Sequence, residues 1–224
     1  MQGGNNASSD AVSTQKDCIF CQKHGIARNI LKETASFRLV ADHAPLVPGH
    51  LLIIPKDHYT CYGDVPSALD EELYTLKREV QQFLTRFYAP IVFWEHGIFR
   101  QTVFHAHLHC FPFGAIEFDP SEGLHEIVVT SQDDIRAWHA QHGQYFYLED
   151  RQRALLFTPQ VERYLHVVQQ VLWPGAVSRN GTTKWRSPQQ RQEEGEPLIQ
   201  AVIAHWRAFQ QQGVNDDANQ SCTR

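Results

Sequence analysis

Residues 105–111 read HAHLHCF, with a histidine at every second position. Successive side chains of an extended segment point to opposite faces. Residues 102–111 (TVFHAHLHCF) are therefore expected to form a strand presenting His105, His107 and His109 on one side. Phe104, Ala106, Leu108 and Cys110 would occupy the other, apolar side and pin the strand to a core. Three chemistries suit such a row. The imidazoles can be satisfied structural groups, they can share one metal ion, or one can be a nucleophile whose neighbours fix its tautomer and hold a phosphate. The last reading uses what imidazole offers near neutral pH: an uncharged nitrogen that attacks phosphorus, and a phosphoramidate reactive enough to be hydrolysed again.

Other residues carry chemistry of their own. Cys18 and Cys21, in CIFC, have the two-residue spacing that lets two thiolates reach one tetrahedral ion. A redox pair and two buried small hydrophobes are the rival readings. Cys61, three residues after His58, is a spare thiol ligand. Arg100 sits beside Gln101 and can clamp a polyphosphate with its fork of donors. Lys56 reads as a solvated charge at a strand end, and His96 mainly as a structural residue preceding the row.

These residues need a frame. Residues 36–41 (SFRLVA) and 50–54 (HLLII) read as strands separated by a proline-containing turn. From Pro66 to Tyr88 the residues Leu69, Leu73, Leu76, Val80, Phe83, Leu84 and Phe87 recur at steps of three and four, which predicts one long amphipathic helix. Residues 91–96 (IVFWEH) form another strand. An antiparallel sheet with helices packed on one face is the economical assembly. Beyond residue 115 the pattern predicts strands over 124–130, 145–150 and 153–159, a helix over 160–172, a loop over 174–184 and a final helix over 197–211. That last helix would turn Ile199, Val202, Ile203, Trp206 and Phe209 inward. Trp185, Trp206 and Arg207 are candidates for an aromatic-basic patch, against a plainer role in packing. The expected fold class is α+β, divided into a disordered tail (1–16), a catalytic unit (17–115), an accessory α+β region (116–211) and a flexible tail (212–224).

Composition narrows the function. A chain of 224 residues with 42% hydrophobic and 11% aromatic residues can bury a sizeable core. A net charge of −5 argues against wholesale binding to nucleic acid or an anionic membrane. No apolar run reaches transmembrane length. The opening MQGGNNASSDAVSTQKD lacks the apolar middle of a signal peptide. Five cysteines, an odd number, point to a reducing compartment, so the expected location is cytoplasmic.

Taken together, HAHLHCF, the block DHAPLVPGHLLIIPKDH at 42–58 and CIFC resemble, in order, the motifs of the histidine-triad (HIT) family of nucleotide hydrolases and transferases. The loop WEHGIFRQTV resembles the Glu-His-Gly of larger members, with Arg100 where glycine is usual. The resemblance covers residues 17–113 and implies an HIT-like antiparallel sheet carrying a long helix. It further implies that His107 attacks the α-phosphate to form a nucleotidyl-histidine, while the carbonyl of His105 fixes the His107 tautomer. His109 and His50 would contact phosphate oxygens, Asp42 the ribose hydroxyls, and Gln101 and Thr102 the phosphate and leaving group. It implies a structural zinc held by Cys18, Cys21, His58 and His105, with no catalytic metal. The partner would be a nucleotide substrate. A homodimer stays open, as does an accessory half that replaces the subunit contacts of small HIT proteins. The alternative function is a zinc-stabilised nucleotide-binding or scaffold protein with little catalysis.

Overall fold

The structure, a computed structural model, describes residues 17–115, 126–180 and 186–221. The tail expected at 1–16, the start of the strand expected at 124, Trp185 and residues 222–224 lie outside the described residues. Element order is α1 (Lys23–Ile26), β1 (Ile30–Glu33), β2 (Phe37–Ala41), β3 (Leu51–Pro55), α2 (Asp70–Phe87), β4 (Val92–Glu95), β5 (Leu108–Phe111), β6 (Glu126–Val128), α3 (Gln132–His142), β7 (Phe146–Glu149), β8 (Ala154–Phe157), α4 (Val161–Val167), a π turn (Val168–Leu172), α5 (Trp173–Asn180) and α6 (Pro188–Ser221). The eight strands form one antiparallel sheet in the order β1-β2-β3-β5-β4-β7-β8-β6. The strands of the second half therefore extend the first half's sheet through β4, which pairs β5 on one edge and β7 on the other.

Helix α2 forms where the three-four periodicity predicts it. Its buried face is Leu73, Leu76, Val80, Phe83 and Leu84, each contributing roughly 1.5–3 kcal/mol of burial before ordering costs are counted. Three acidic residues in its first turn favour the helix dipole. This face joins Ile135 of α3 and Ile199, Val202 and Trp206 of α6 over one side of the sheet.

The expectation of helices on one face is too narrow. Trp94, Phe111, Phe146 and Phe157 project from the other side and cannot stay in water, so α4, the π turn and α5 cover them with Val167, Val171, Leu172 and Ala176. Beside them on that side, Phe20 and Ile26 of the N-terminal segment cover Val40, Leu52 and Ile54.

Several local expectations change. Residues 174–180 are the helix α5, not a loop. Helix α6 begins at Pro188 with Pro197 inside it; Pro197 is exposed, so its missing N–H costs a helix hydrogen bond without a buried clash. Trp206 is buried edge-on against Phe83, with centroids 5.0 Å apart, which removes it from any surface patch. Helix α3 and strand β1 are additional elements. Among the described residues no helix is long and apolar enough to cross a membrane.

Candidate active site

The histidine row lies against the N-terminal segment and the sheet: Phe20 meets the His105 and His107 rings edge-on, and Phe111 stacks on His109. The ladder holds only Leu108–Phe111, so the strand expected over 102–111 is shortened to its second half. Residues 102–105 form successive bends, and Phe104 is exposed rather than in the core. Gln101 explains the change. Its side-chain Nε2 donates to the main-chain carbonyls of Thr60 (3.2 Å), Val103 (2.6 Å) and His105 (2.9 Å), while its Oε1 accepts from the Ile98 N–H at 3.0 Å. Backbone oxygens that a ladder would use are taken by one buried amide. The same amide anchors a loop in which Gly97, Ile98 and Arg100 all have positive φ, costly for a β-branched residue such as Ile98.

His107 is buried, and its Nδ1–H donates to the His105 carbonyl at 2.7 Å. The proton is thereby placed on Nδ1, and Nε2 is left with its lone pair. Burial lowers the His107 pKa, against opposing pulls from that carbonyl and from Asp42. The ring is therefore neutral at pH 7.

His50 is delivered by Gly49, whose φ of +88° suits glycine and whose missing side chain makes room for the Tyr88 ring. The Leu46 N–H donates to His50 Nδ1 at 3.2 Å, so His50 Nε2 carries the proton and donates to His109 Nδ1 at 3.0 Å. His109 must then hold its own proton on Nε2, as a donor available to an anion. Burial pushes His50 down to about 4 and His109 well below its usual range. Asp42 accepts from the Ala44 N–H at 2.7 Å and lies 3.7 Å from His50 Nδ1.

His96, the residue after β4, also borders His109. Its Nδ1–H donates to the Phe99 carbonyl at 3.2 Å, its ring meets His109 at 5.8 Å between centroids, and burial lowers it to about 4. Arg100 is exposed, its guanidinium 5.5 Å from the ring centroid of Tyr164 in α4. Thr102 is also exposed.

His105 turns to a different cluster. Its Nε2–H donates to the Pro55 carbonyl at 2.9 Å, and its Nδ1 lies 3.4 Å from Cys18 Sγ and 3.5 Å from Cys21 Sγ. His58 Nδ1 lies 3.3 Å from Cys21 Sγ. The ligand atoms of Cys18, Cys21, His58 and His105 all fall within 4.8 Å of one another and could hold a metal ion. Sulfur and nitrogen ligands at about 2.3 and 2.05 Å from a tetrahedral ion lie about 3.6 Å apart, so the donor set fits. The His105–Pro55 bond is the outer contact that commonly orients a metal-bound imidazole.

The row therefore does not gather on one ion: His105 groups with the cysteines, and His109 with Asp42 and His50. Cys61 is remote from the first set and pairs with His139 Nδ1 at 3.6 Å, whose Nε2 meets Asp64 at 3.0 Å.

Residues 23–114 match the family model for the HIT domain. This segment is a HIT domain. A HIT family protein from Bacillus anthracis is 24% identical over 47% of this chain and 84% of its own, with a TM-score of 0.42. A zinc-bound histidine triad family protein from Mycobacterium smegmatis is 24% identical over 56% and 94%, with a TM-score of 0.37. A hypothetical histidine triad nucleotide-binding protein from Sulfolobus tokodaii is 20% identical over 75% and 100%, with a TM-score of 0.37. No curated protein matches the chain.

The HIT domain match takes in the histidine row and the 42–58 block, while CIFC at 18–21 precedes it. Two residues at its edges, Tyr164 and Arg191, come from beyond it. Sequence reasoning missed both. Arg191 lies in the polar run QQRQEEGE, where nothing in type or spacing sets it apart.

Proposed function

We propose that this protein is a nucleotide phosphohydrolase or nucleotidyltransferase that works through a covalent nucleotidyl-histidine on His107. The observation that carries the reading is the 2.7 Å donation from His107 Nδ1 to the His105 carbonyl, which leaves Nε2 nucleophilic in a ring kept neutral by burial. Nε2 attacks the α-phosphorus in line, and the leaving phosphate departs with the bonding electrons, or a leaving amine with those electrons and a proton taken from solvent. The ring becomes cationic as the N–P bond forms, and the His105 carbonyl stabilises the charge at Nδ1–H. His109 Nε2–H donates to a non-bridging oxygen as charge shifts there, with His50 holding His109 in the required tautomer. Water, or another acceptor, then attacks phosphorus from the opposite side. The P–N electrons return to Nε2, and with water the products are a nucleoside monophosphate and a proton. Asp42, whose second carboxylate oxygen lies 3.7 Å from His50 Nδ1, would accept from ribose hydroxyls.

Gln101 in this reading acts through the backbone, holding the carbonyl that holds His107, instead of touching the leaving group. Arg100 and Thr102, both exposed, would meet a leaving polyphosphate. Cys18, Cys21, His58 and His105 would hold a structural zinc that ties the N-terminal segment to β3 and the row. The ion would stabilise this arrangement without contacting substrate.

The test is a panel of dinucleoside polyphosphates and nucleoside phosphoramidates, with products identified by mass spectrometry in the presence and absence of inorganic phosphate. Nucleoside monophosphate formed by wild-type protein and lost in His107→Ala supports the proposal. Tight nucleotide binding with no turnover across the panel would instead favour a binding or scaffold role.

A further inference from the structure

The imidazoles around the row are pushed toward neutrality, yet the proposed substrate brings phosphate charge among them. Helix α6 lies against the same site. Gly195 packs so tightly on the turn after β2 that a Cβ there would sit 2.6 Å from Pro45 Cδ and 3.6 Å from the His43 carbonyl. One turn earlier, Arg191 donates from Nη1 to the Ala44 carbonyl at 3.1 Å. The N–H of that same Ala44 is held by the Asp42 carboxylate at 2.7 Å. The guanidinium is thus fastened to the dipeptide that follows the ribose-side acid. Its Nε is buried without a hydrogen-bond partner, and its charge is felt at Asp42, His50 and His109.

We propose that Arg191 is a substrate-binding residue, contributed by α6 from outside the HIT domain, that meets the phosphate of a nucleotide seated between Asp42 and His109. This inference rests on the nucleotide reading of the site and extends it. A guanidinium suits this role because it stays charged when half-buried, and one arm fixed on Ala44 leaves the remaining fork pre-oriented for oxygen anions. The consequence is that the accessory region supplies part of the binding site as well as covering the sheet.

The experiment measures calorimetric affinities of the full chain for adenosine 5′-monophosphate and for adenosine, in wild type, Arg191→Ala, Arg191→Lys and the exposed neighbour Gln192→Ala. Loss of a charge-assisted contact should weaken the monophosphate about 10-fold or more in Arg191→Ala, with partial recovery in Arg191→Lys. Adenosine affinity and the Gln192→Ala protein should be unaltered. An Arg191→Ala protein that binds the monophosphate within about 2-fold of wild type, or that loses monophosphate and adenosine alike, overturns the proposal. Wild-type protein that bound neither ligand would instead overturn the nucleotide reading beneath it.

Discussion

The His105 carbonyl accepts two hydrogen bonds, from His107 Nδ1–H at 2.7 Å and from the Gln101 amide at 2.9 Å. In the proposed mechanism, positioning of the nucleophile is thereby linked to a residue whose side chain bonds backbone groups. Gln101→Leu keeps much of the volume and removes the donors, so the carbonyl and the 97–100 loop lose their anchor. Catalysis should fall about 10–100-fold in kcat with KM little changed, because displacement of a reacting group by a fraction of an ångström has costs of that size. Steady-state kinetics checks the split, and a rise in KM at constant kcat would place Gln101 against the substrate instead.

The metal prediction follows from the 3.3–3.5 Å spacings among Cys18, Cys21, His58 and His105. Purified protein should carry one zinc per chain by elemental analysis. Cys21→Ser should lose it and fall by about 3 kcal/mol or more, roughly 6–12 °C in Tm. Zinc retained in a Cys18→Ser, Cys21→Ser double variant would assign the ion to other ligands.

How much of this was legible in the sequence depends on the range of the interactions. Helix α2 and the triad block were legible because their signals are local: a repeat of three and four, and fixed spacings around Pro, Gly and His. The bends at 102–105 were not, since alternation predicts a strand until Gln101 takes three carbonyls that residues near and far supply. Helix α3 had a readable start in Ser131 and Asp134, which form a capping box, and a readable end at Gly143 with φ of +78°. Its weak apolar stripe hid it. Arg191 could not be found by pattern at all, because its place beside Ala44 arises from α6 packing on residues 43–45.

That packing makes its own prediction. An exposed helical glycine replaced by alanine usually gains up to about 1 kcal/mol. At Gly195 the added Cβ would meet Pro45 at 2.6 Å, against a ring that cannot swing away. Gly195→Ala should therefore destabilise by about 1–3 kcal/mol in chemical denaturation. A more stable variant would show that α6 is not seated this closely.

Glu95 supplies a pH test away from the row. Its carboxylate is buried on the α2 side of the sheet, accepting from the Tyr62 N–H at 2.7 Å and the Tyr145 hydroxyl at 2.8 Å. Burial raises it from 4.5 to about 7, outweighing those donors. The folded protein thus holds this proton more tightly than the unfolded chain. The stabilisation is complete below pH 4.5 and is lost as pH rises through 7. Measured against Glu95→Gln, wild-type unfolding free energy should drop by about 3 kcal/mol between about pH 4.5 and 8. A difference independent of pH would mean the carboxyl ionises as it does in water.

The most direct measurement is capture of the intermediate. Wild-type protein mixed with α-³²P-labelled dinucleoside polyphosphate and quenched in base should carry acid-labile label, and peptide mass spectrometry should place one nucleotidyl group on His107. Turnover by a protein that never labels at His107, or label that persists in His107→Ala, would contradict the account.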